Sequence, residues 1–178
     1  MCFFNTELMK SKKNLVLLGM MGSGKSTIGR LLSKRLNLNF FDIDKIIEKE
    51  NDKKIYEIFK SHGENFFRKL EENLTLKTLD QNNSVISLGG GAFLNSAIRK
   101  KVLTKSVTFW LNWNTNILIS RIKKNYNRPV ILGLNNIQIK NLIKERSKTY
   151  VKANYKIDCN SLNKNEIIDK ILKFYENK

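Results

Sequence analysis

The sequence predicts one α/β domain in which a five-stranded parallel sheet carries helices on both faces. Strand-like apolar runs alternate with helical patterns, and a glycine-rich segment joins the first run to the first helix. Neither a repeat nor a linker divides the 178 residues, enough chain to bury roughly 70% of its unfolded surface. We expect a domain at 13–178, after a poorly ordered extension at 1–12 in which Met9 is an alternative start.

The first strand, at 15–18, leads into Gly-Met-Met-Gly-Ser-Gly-Lys-Ser-Thr at 19–27. This segment fits G-x-x-x-x-G-K-[ST], the phosphate-binding P-loop, and it stands between a strand and a helix as that motif requires. The glycines let the backbone curl so that N–H groups point at phosphate oxygens, and the helix adds its positive end. A dinucleotide fingerprint is excluded, because G-x-G-x-x-G would need glycine where Thr27 stands.

Each position of the P-loop then has an expected role. Lys25 reaches the β- and γ-phosphates of ATP, and the hydroxyl of Ser26 ligates Mg²⁺. The remaining residues expected to bind the nucleotide are Gly22, Ser23, Gly24 and Thr27.

Hydrophobic periodicity predicts the remaining elements. Helices are expected from about residue 28, from residue 46, at 55–62, at 64–79, after Asn95, at 115–124, at 137–152 and through 167–175. Strands are expected at 40–43, 85–88, 107–111 and 155–159. The asparagine-rich segment at 125–136, which holds the only proline, is expected to form a mobile lid.

Composition is ordinary for a globular chain, 41% hydrophobic and 28% charged, but the net charge is +17. The lysines are scattered, and no aromatic-interleaved basic motif accompanies them, so we expect no specific nucleic-acid partner. The positive field still favours anionic substrates such as ATP. No apolar run is long enough to span a membrane, the start lacks a signal-peptide pattern, and Cys2 and Cys159 show no metal or disulfide spacing. These features favour a cytoplasmic location.

Two carboxylates stand where an open α/β sheet binds its ligands. Asp42 and Asp44 lie at the carboxyl end of the second predicted strand, whereas the strands at 85–88 and 107–111 are followed by glycine and Asn112. On an extended chain the two side chains would point the same way, one to the metal and the other to the acceptor hydroxyl. The alternative is that both are solvated residues that begin a helix, with Asp44 as its N-cap.

Other candidate residues lie further along the chain. Arg68 and Glu71 share a helix face, which a plain salt bridge would also explain. Three successive glycines after a buried strand, Gly89, Gly90 and Gly91, suggest a ligand against bare backbone, or else a sharp turn. The remaining candidates are arginines that, taken singly, would also suit the surface: Arg121, Arg128 and Arg146.

Taken together, these motifs resemble the shikimate kinase family over about residues 15–155. The matching pieces are the P-loop at 19–27, Asp42-x-Asp44, Phe67-Arg68-x-x-Glu71, Gly89-Gly90-Gly91, Arg128-Pro129 and Glu145-Arg146-x-x-x-Tyr150. The resemblance implies a P-loop kinase fold and a monomer that transfers the γ-phosphoryl group of ATP to the 3-hydroxyl of shikimate, with Mg²⁺ as cofactor.

The resemblance also implies roles for single residues. Asp44 would bind the reacting hydroxyl and accept its proton, and Asp42 would join Ser26 around Mg²⁺. Arg68 and Arg146 would clamp the substrate carboxylate. The glycine run, chiefly Gly90, would contact the substrate through its backbone, and Glu71 would help to hold the pocket. Arg128 would close with the lid onto the phosphates, and Arg121 would lie near adenine.

One departure from the family pattern concerns the adenine site, because no proline-bearing motif comes after the last strand, where residues 160–162 read Asn-Ser-Leu. The alternatives are another small-molecule P-loop kinase, such as a gluconate-kinase-like enzyme, a nucleic-acid-stimulated NTPase, and a non-catalytic binding module.

Overall fold

The computed structural model describes residues 13–124 and 129–176. Its strands are β1 (Asn14–Leu18), β2 (Asn39–Asp42), β3 (Ser84–Ser87), β4 (Ser106–Asn112) and β5 (Tyr155–Asp158). Its α-helices are α1 (Lys25–Leu36), α2 (Ile43–Asn51), α3 (Ile55–Thr78), α4 (Ser96–Lys105), α5 (Thr115–Lys123), α6 (Asn136–Tyr150) and α7 (Lys164–Glu176). Short 3₁₀ turns lie at Ala92–Leu94 and Pro129–Ile131. The extension predicted at 1–12 lies outside the described residues, as does Arg128.

All five strands are parallel, in the order β2-β3-β1-β4-β5, which confirms the predicted fold class. The central strand β1 pairs with β3 on one side and with β4 on the other. Strands β2 and β3 lie on one side of β1, and β4 and β5 lie on the other, so the strand order reverses beside β1. Ligands of open α/β sheets bind at such a switch point, outside the carboxyl ends of the strands.

Both faces of the sheet are buried under helices. Val16 and Leu18 of β1 belong to one apolar cluster, whereas Leu15 and Leu17 belong to a second cluster on the opposite face. This alternation explains why the strand is apolar throughout, as in parallel sheets covered on both sides. In the described part of the chain, every helix is too short or too polar to cross a lipid bilayer.

The predicted element boundaries differ from the structure mainly at the functional end of the sheet. Helix α1 begins at Lys25, three residues before the predicted start, because its first turn is polar and hides the apolar period. The two helices predicted at 55–62 and 64–79 form the single element α3, which is broken at Gly63, where φ is 79° and ψ is 174°. The predicted break is therefore correct, but no loop separates the two halves.

Candidate active site

The loop between β1 and α1 curls around the ammonium group of Lys25. Lys25 Nζ donates to the carbonyl oxygens of Gly19 at 2.7 Å and Met20 at 3.0 Å. The curl requires a φ of 77° at Gly22 and 91° at Gly24, values that strain a residue with a side chain. The first turn of α1 therefore adjoins a cavity of about 190 Å³, as the P-loop prediction requires.

We call this space the phosphate cavity. Most of the residues predicted to bind phosphate line it, namely Gly22, Gly24, Lys25, Ser26 and Thr27. Ser23 does not line this cavity but borders a third one next to the loop. Its buried hydroxyl has no hydrogen-bond partner among the described residues.

Asp42 and Asp44 both line the phosphate cavity, but the backbone that places them there differs from the one predicted. Strand β2 ends at Asp42, which caps α2 by accepting a bond from the backbone N–H of Lys45 at 3.4 Å. Asp44 therefore lies in the first turn of α2, and the prediction of an extended chain through both aspartates is wrong. The alternative that both begin a helix is correct, although Asp42 is the cap. Asp is a strong N-cap residue, so the strand ends one residue early.

The oxygen atoms of this region suit a divalent cation. Ser26, Asp42 and Asp44 line the same cavity, and Mg²⁺ prefers such oxygen ligands together with phosphate oxygens and water. Among the described residues, no three His, Cys, Asp or Glu side chains are grouped closely enough to hold a metal.

A larger cavity of about 550 Å³ adjoins the phosphate cavity and shares four lining residues with it: Met21, Ser26, Asp42 and Asp44. We call this larger space the acceptor cavity. Phe59 and Phe67 form an apolar part of its wall, with ring centroids 4.6 Å apart. The rest of its lining combines charged side chains, among them Arg68, Glu71 and Arg146, with further apolar ones, so the cavity suits a small molecule that is partly polar.

Arg68 and Glu71 line the acceptor cavity as a pair. Arg68 Nη1 lies 2.5 Å from Glu71 Oε2, and Nη2 lies 2.9 Å from Glu64 Oε1. Burial raises the pKa of the Glu71 carboxyl, and the Arg68 guanidinium opposes that rise. Burial works to lower the pKa of Arg68, but Glu71 and then Glu64 outweigh it, so that pKa is raised. The predicted helical salt bridge is present, and it lies in the wall of the cavity.

The glycine run packs closely against the protein's own side chains. A Cβ at Gly89 would collide with Glu71 Oε1 and lie 2.9 Å from Asp44 Oδ1. A Cβ at Gly91 would lie 2.6 Å from Arg68 Nη1. Both glycines have φ outside the left-handed region, so close packing and not backbone freedom explains them. These three side chains thus pack against bare backbone. Gly90 and Gly91 also line the acceptor cavity, and the ligand contact expected there stays a prediction.

Arg146 and Tyr150 hold the carbonyl group of Gly90 from α6. Both donate to this oxygen, Arg146 from Nη1 at 3.3 Å and Tyr150 from its hydroxyl. Arg146 is only 3% exposed, and no carboxylate of the described residues lies within salt-bridge distance of it. Burial lowers the pKa of Arg146 and raises that of Tyr150 to about 12. A guanidinium keeps its charge even so, and it would be stabilised by an anion in the cavity.

Sequence reasoning missed Trp113, the residue directly after β4. Its indole Nε1 donates to the carbonyl oxygen of Ser23 at 2.9 Å, and the guanidinium carbon of Arg121 lies 3.8 Å from its ring centroid. Both residues line a third cavity of about 750 Å³, next to the P-loop, which we call the base cavity. Its position at the carboxyl end of a strand was the signal that could have identified Trp113.

Most of the chain matches known proteins of one family. The family model described as shikimate kinase matches residues 21–176. The shikimate kinase of Thermodesulfovibrio yellowstonii is 38% identical over 165 residues, which cover 92% of this chain and 95% of that protein. The shikimate kinase of Persephonella marina is 38% identical over 160 residues, 90% of this chain and 97% of that protein. The structure of the Acinetobacter baumannii shikimate kinase in complex with shikimate has a TM-score of 0.91 at 27% identity, and the match covers 97% of this chain and 98% of that one.

The hydrogen bond from Tyr150 to Gly90 is expected to hold the glycine run in place. In Tyr150→Phe, loss of this bond should lower the free energy of unfolding by about 1 kcal/mol, measured in urea. It should also speed hydrogen exchange at the amides of residues 90–92, followed by NMR.

Tyr175→Phe is the matched control, since Tyr175 is also buried and donates to a backbone carbonyl, that of Lys13, at 2.8 Å. It should cost similar stability and leave exchange at 90–92 unchanged. Equal exchange in the two variants would show that Tyr150 does not hold the run.

Proposed function

The chain belongs to the shikimate kinase family, and from that premise we propose that it transfers the γ-phosphoryl group of ATP to the 3-hydroxyl of shikimate. The products are shikimate 3-phosphate and ADP. The observation that carries the proposal is the shared border of the phosphate and acceptor cavities, where Asp42 and Asp44 line both. An acceptor hydroxyl in one cavity would therefore lie beside the terminal phosphate in the other.

The charges of the acceptor cavity support a carboxylate ligand. Arg146 is buried without a carboxylate within salt-bridge distance among the described residues, and Arg68 lies across the glycine run from it. Shikimate carries one carboxylate and three hydroxyls, and a guanidinium matches a carboxylate with two parallel hydrogen bonds. We infer that Arg146 and Arg68 hold the carboxylate and that Glu71 keeps Arg68 in place. We also infer that the backbone of Gly90 and Gly91 completes the pocket, with Gly89 packed behind them against Glu71.

Asp44 is the residue that we assign to the acceptor hydroxyl. Its carboxylate lies against Gly89 and lines both cavities. As the hydroxyl oxygen bonds to the γ-phosphorus, the bond to the bridging oxygen breaks and ADP leaves with that electron pair. The hydroxyl proton passes to the Asp44 carboxylate. Phosphoryl transfer needs little covalent help, so positioning and charge stabilisation supply most of the rate.

The P-loop and the lid supply the positive charge. We infer that Lys25 exchanges its bonds to the Gly19 and Met20 carbonyls for bonds to the β- and γ-phosphates. Bound Mg²⁺, held by Ser26 and Asp42, would neutralise charge on the phosphate oxygens. We further propose that the segment 125–136 is a lid that brings Arg128 onto the phosphates.

We also propose that the protein is a cytoplasmic monomer without a specific nucleic-acid partner. The support is the family of small-molecule kinases to which it belongs and the scattered distribution of its lysines.

ADP release is expected to depend on shikimate. Purified protein with Mg²⁺ and ATP should release ADP in a coupled assay when shikimate is added, and should stay at its basal rate with gluconate, a nucleoside monophosphate or single-stranded DNA. Stimulation by one of the other additions without a response to shikimate would refute the assigned substrate while leaving ATP use intact.

Arg146→Lys is expected to raise the KM for shikimate about ten- to a hundredfold and to change the KM for ATP little, because lysine cannot form the two parallel bonds. Initial rates at varied shikimate and varied ATP measure both constants.

Arg99→Lys is the matched control, since Arg99 also donates to backbone carbonyls, those of Phe93 and Leu94, but does not line the acceptor cavity. It should leave both constants near their original values. An equal rise of both KM values in Arg146→Lys would contradict the carboxylate assignment.

Asp44→Asn is expected to lower kcat by about a hundredfold or more, since the hydroxyl loses its proton acceptor. The control is Asp169→Asn, which breaks an exposed ion pair with Arg35; neither residue lines any of the three cavities, so kcat should stay unchanged. A near-normal kcat in Asp44→Asn would assign the proton to another group.

A further inference from the structure

The base cavity lies where a nucleotide base could be oriented beside the P-loop. Gly22, Ser23 and Gly24 border it on one side, and residues 162–165, which run from the loop after β5 into the start of α7, border it on the other. Among the described residues that line it there is no proline, and Trp113 is the aromatic one. A role for Trp113 in binding a base rests on the proposed use of ATP, whose base would extend into this cavity from phosphates at the P-loop.

Trp113 is held by a hydrogen bond and by apolar contacts. Its Nε1 donates to Ser23, which fixes the indole to the P-loop. Its apolar surface packs against two clusters at once, one that includes Ile28 and Ile167 and one that includes Leu118 and Ile122. A ring with these contacts loses little further freedom when a ligand binds, so it can serve as a fixed surface.

Arg121 rests on that surface. Its guanidinium carbon lies 3.8 Å from the ring centroid, well within the distance of a cation–π contact. A Cβ placed on Gly22 would lie 3.4 Å from the Cβ of Arg121, so this part of α5 packs closely on the P-loop. Among residues 13–124 and 129–176, no carboxylate lies within salt-bridge distance of Arg121. The Trp113 ring thus contacts one face of this guanidinium.

We propose that Trp113 is a positioning residue for the nucleotide, which holds the Arg121 guanidinium so that its opposite face stacks on the purine base. Arg121 lines both the phosphate cavity and the base cavity, so it stands between the two ends of a bound nucleotide. Guanidinium groups stack well on flat π-systems. A guanidinium that is already oriented binds the base without first losing rotamer freedom.

Equilibrium binding of MgADP, measured by calorimetry without shikimate, tests this role. Trp113→Ala should weaken ADP binding about three- to thirtyfold, the range of a cation–π contact. Trp113→Phe keeps an aromatic face and loses the N–H group, so most of the affinity should remain. Arg121→Ala should weaken binding in the original protein and have less effect in Trp113→Ala, because the two residues act together. Unchanged ADP affinity in Trp113→Ala, or additive effects in the double variant, would overturn the proposal.

Two controls separate positioning from a general structural effect. Phe174→Ala removes another half-exposed aromatic side chain, stacked on Tyr155 at 4.7 Å, and should leave ADP binding unchanged. The KM for shikimate should not change in Trp113→Phe, and an equal loss of affinity for ADP and shikimate would indicate a merely structural role. Should Trp113→Ala not fold, tryptophan fluorescence decides instead: ADP should alter the emission of the original protein and not that of Trp113→Phe.

The binding of ADP is independent of the acceptor substrate. If the protein binds ADP as expected but does not phosphorylate shikimate, the role of Trp113 stands and the proposed function fails. If it phosphorylates shikimate while Trp113→Ala and Trp113→Phe bind ADP normally, the function stands and the role of Trp113 fails.

Discussion

Burial of charge at the carboxyl edge of the sheet is the constraint on which the site depends. Arg146 and Glu71 are almost fully removed from water, which is costly unless each finds a partner. Glu71 forms an ion pair with Arg68, whereas Arg146 donates a hydrogen bond to the carbonyl oxygen of Gly90. Both lie against the glycine run after β3, where a Cβ on Gly89 or Gly91 would displace the side chain of Glu71 or Arg68. The glycine run, α3 and α6 are therefore tied together by one electrostatic requirement.

The order of strands explains why two cavities meet at so few residues. Because β1 lies between β3 and β4, the P-loop emerges at the centre of the sheet with the end of β2 to one side. Asp42 stands at the end of β2 and Asp44 one residue inside α2, so a strand end and a helix start supply the shared border. The same edge places Trp113, just after β4, on the far side of the P-loop.

Pattern reasoning predicted those features that depend on local sequence. The fold class, the P-loop and the Arg68–Glu71 pair are predicted by periodicity and spacing, and the structure contains all three. The features that it missed depend on contacts between distant segments. Gly89 and Gly91 pack against side chains from α2 and α3, and Trp113 donates to a carbonyl group 90 positions away. The end of β2 was misjudged because a capping aspartate outweighs the apolar residue after it.

The break at Gly63 has a geometric consequence for the acceptor cavity. Phe59 belongs to the half of α3 before the break and Arg68 to the half after it, yet both line this space. A straight helix of 24 residues presents any one face along a single line, so it could not form two adjoining walls. The two halves of α3 thus form two adjoining walls of the cavity, and the angle between these walls is set by the φ and ψ of Gly63.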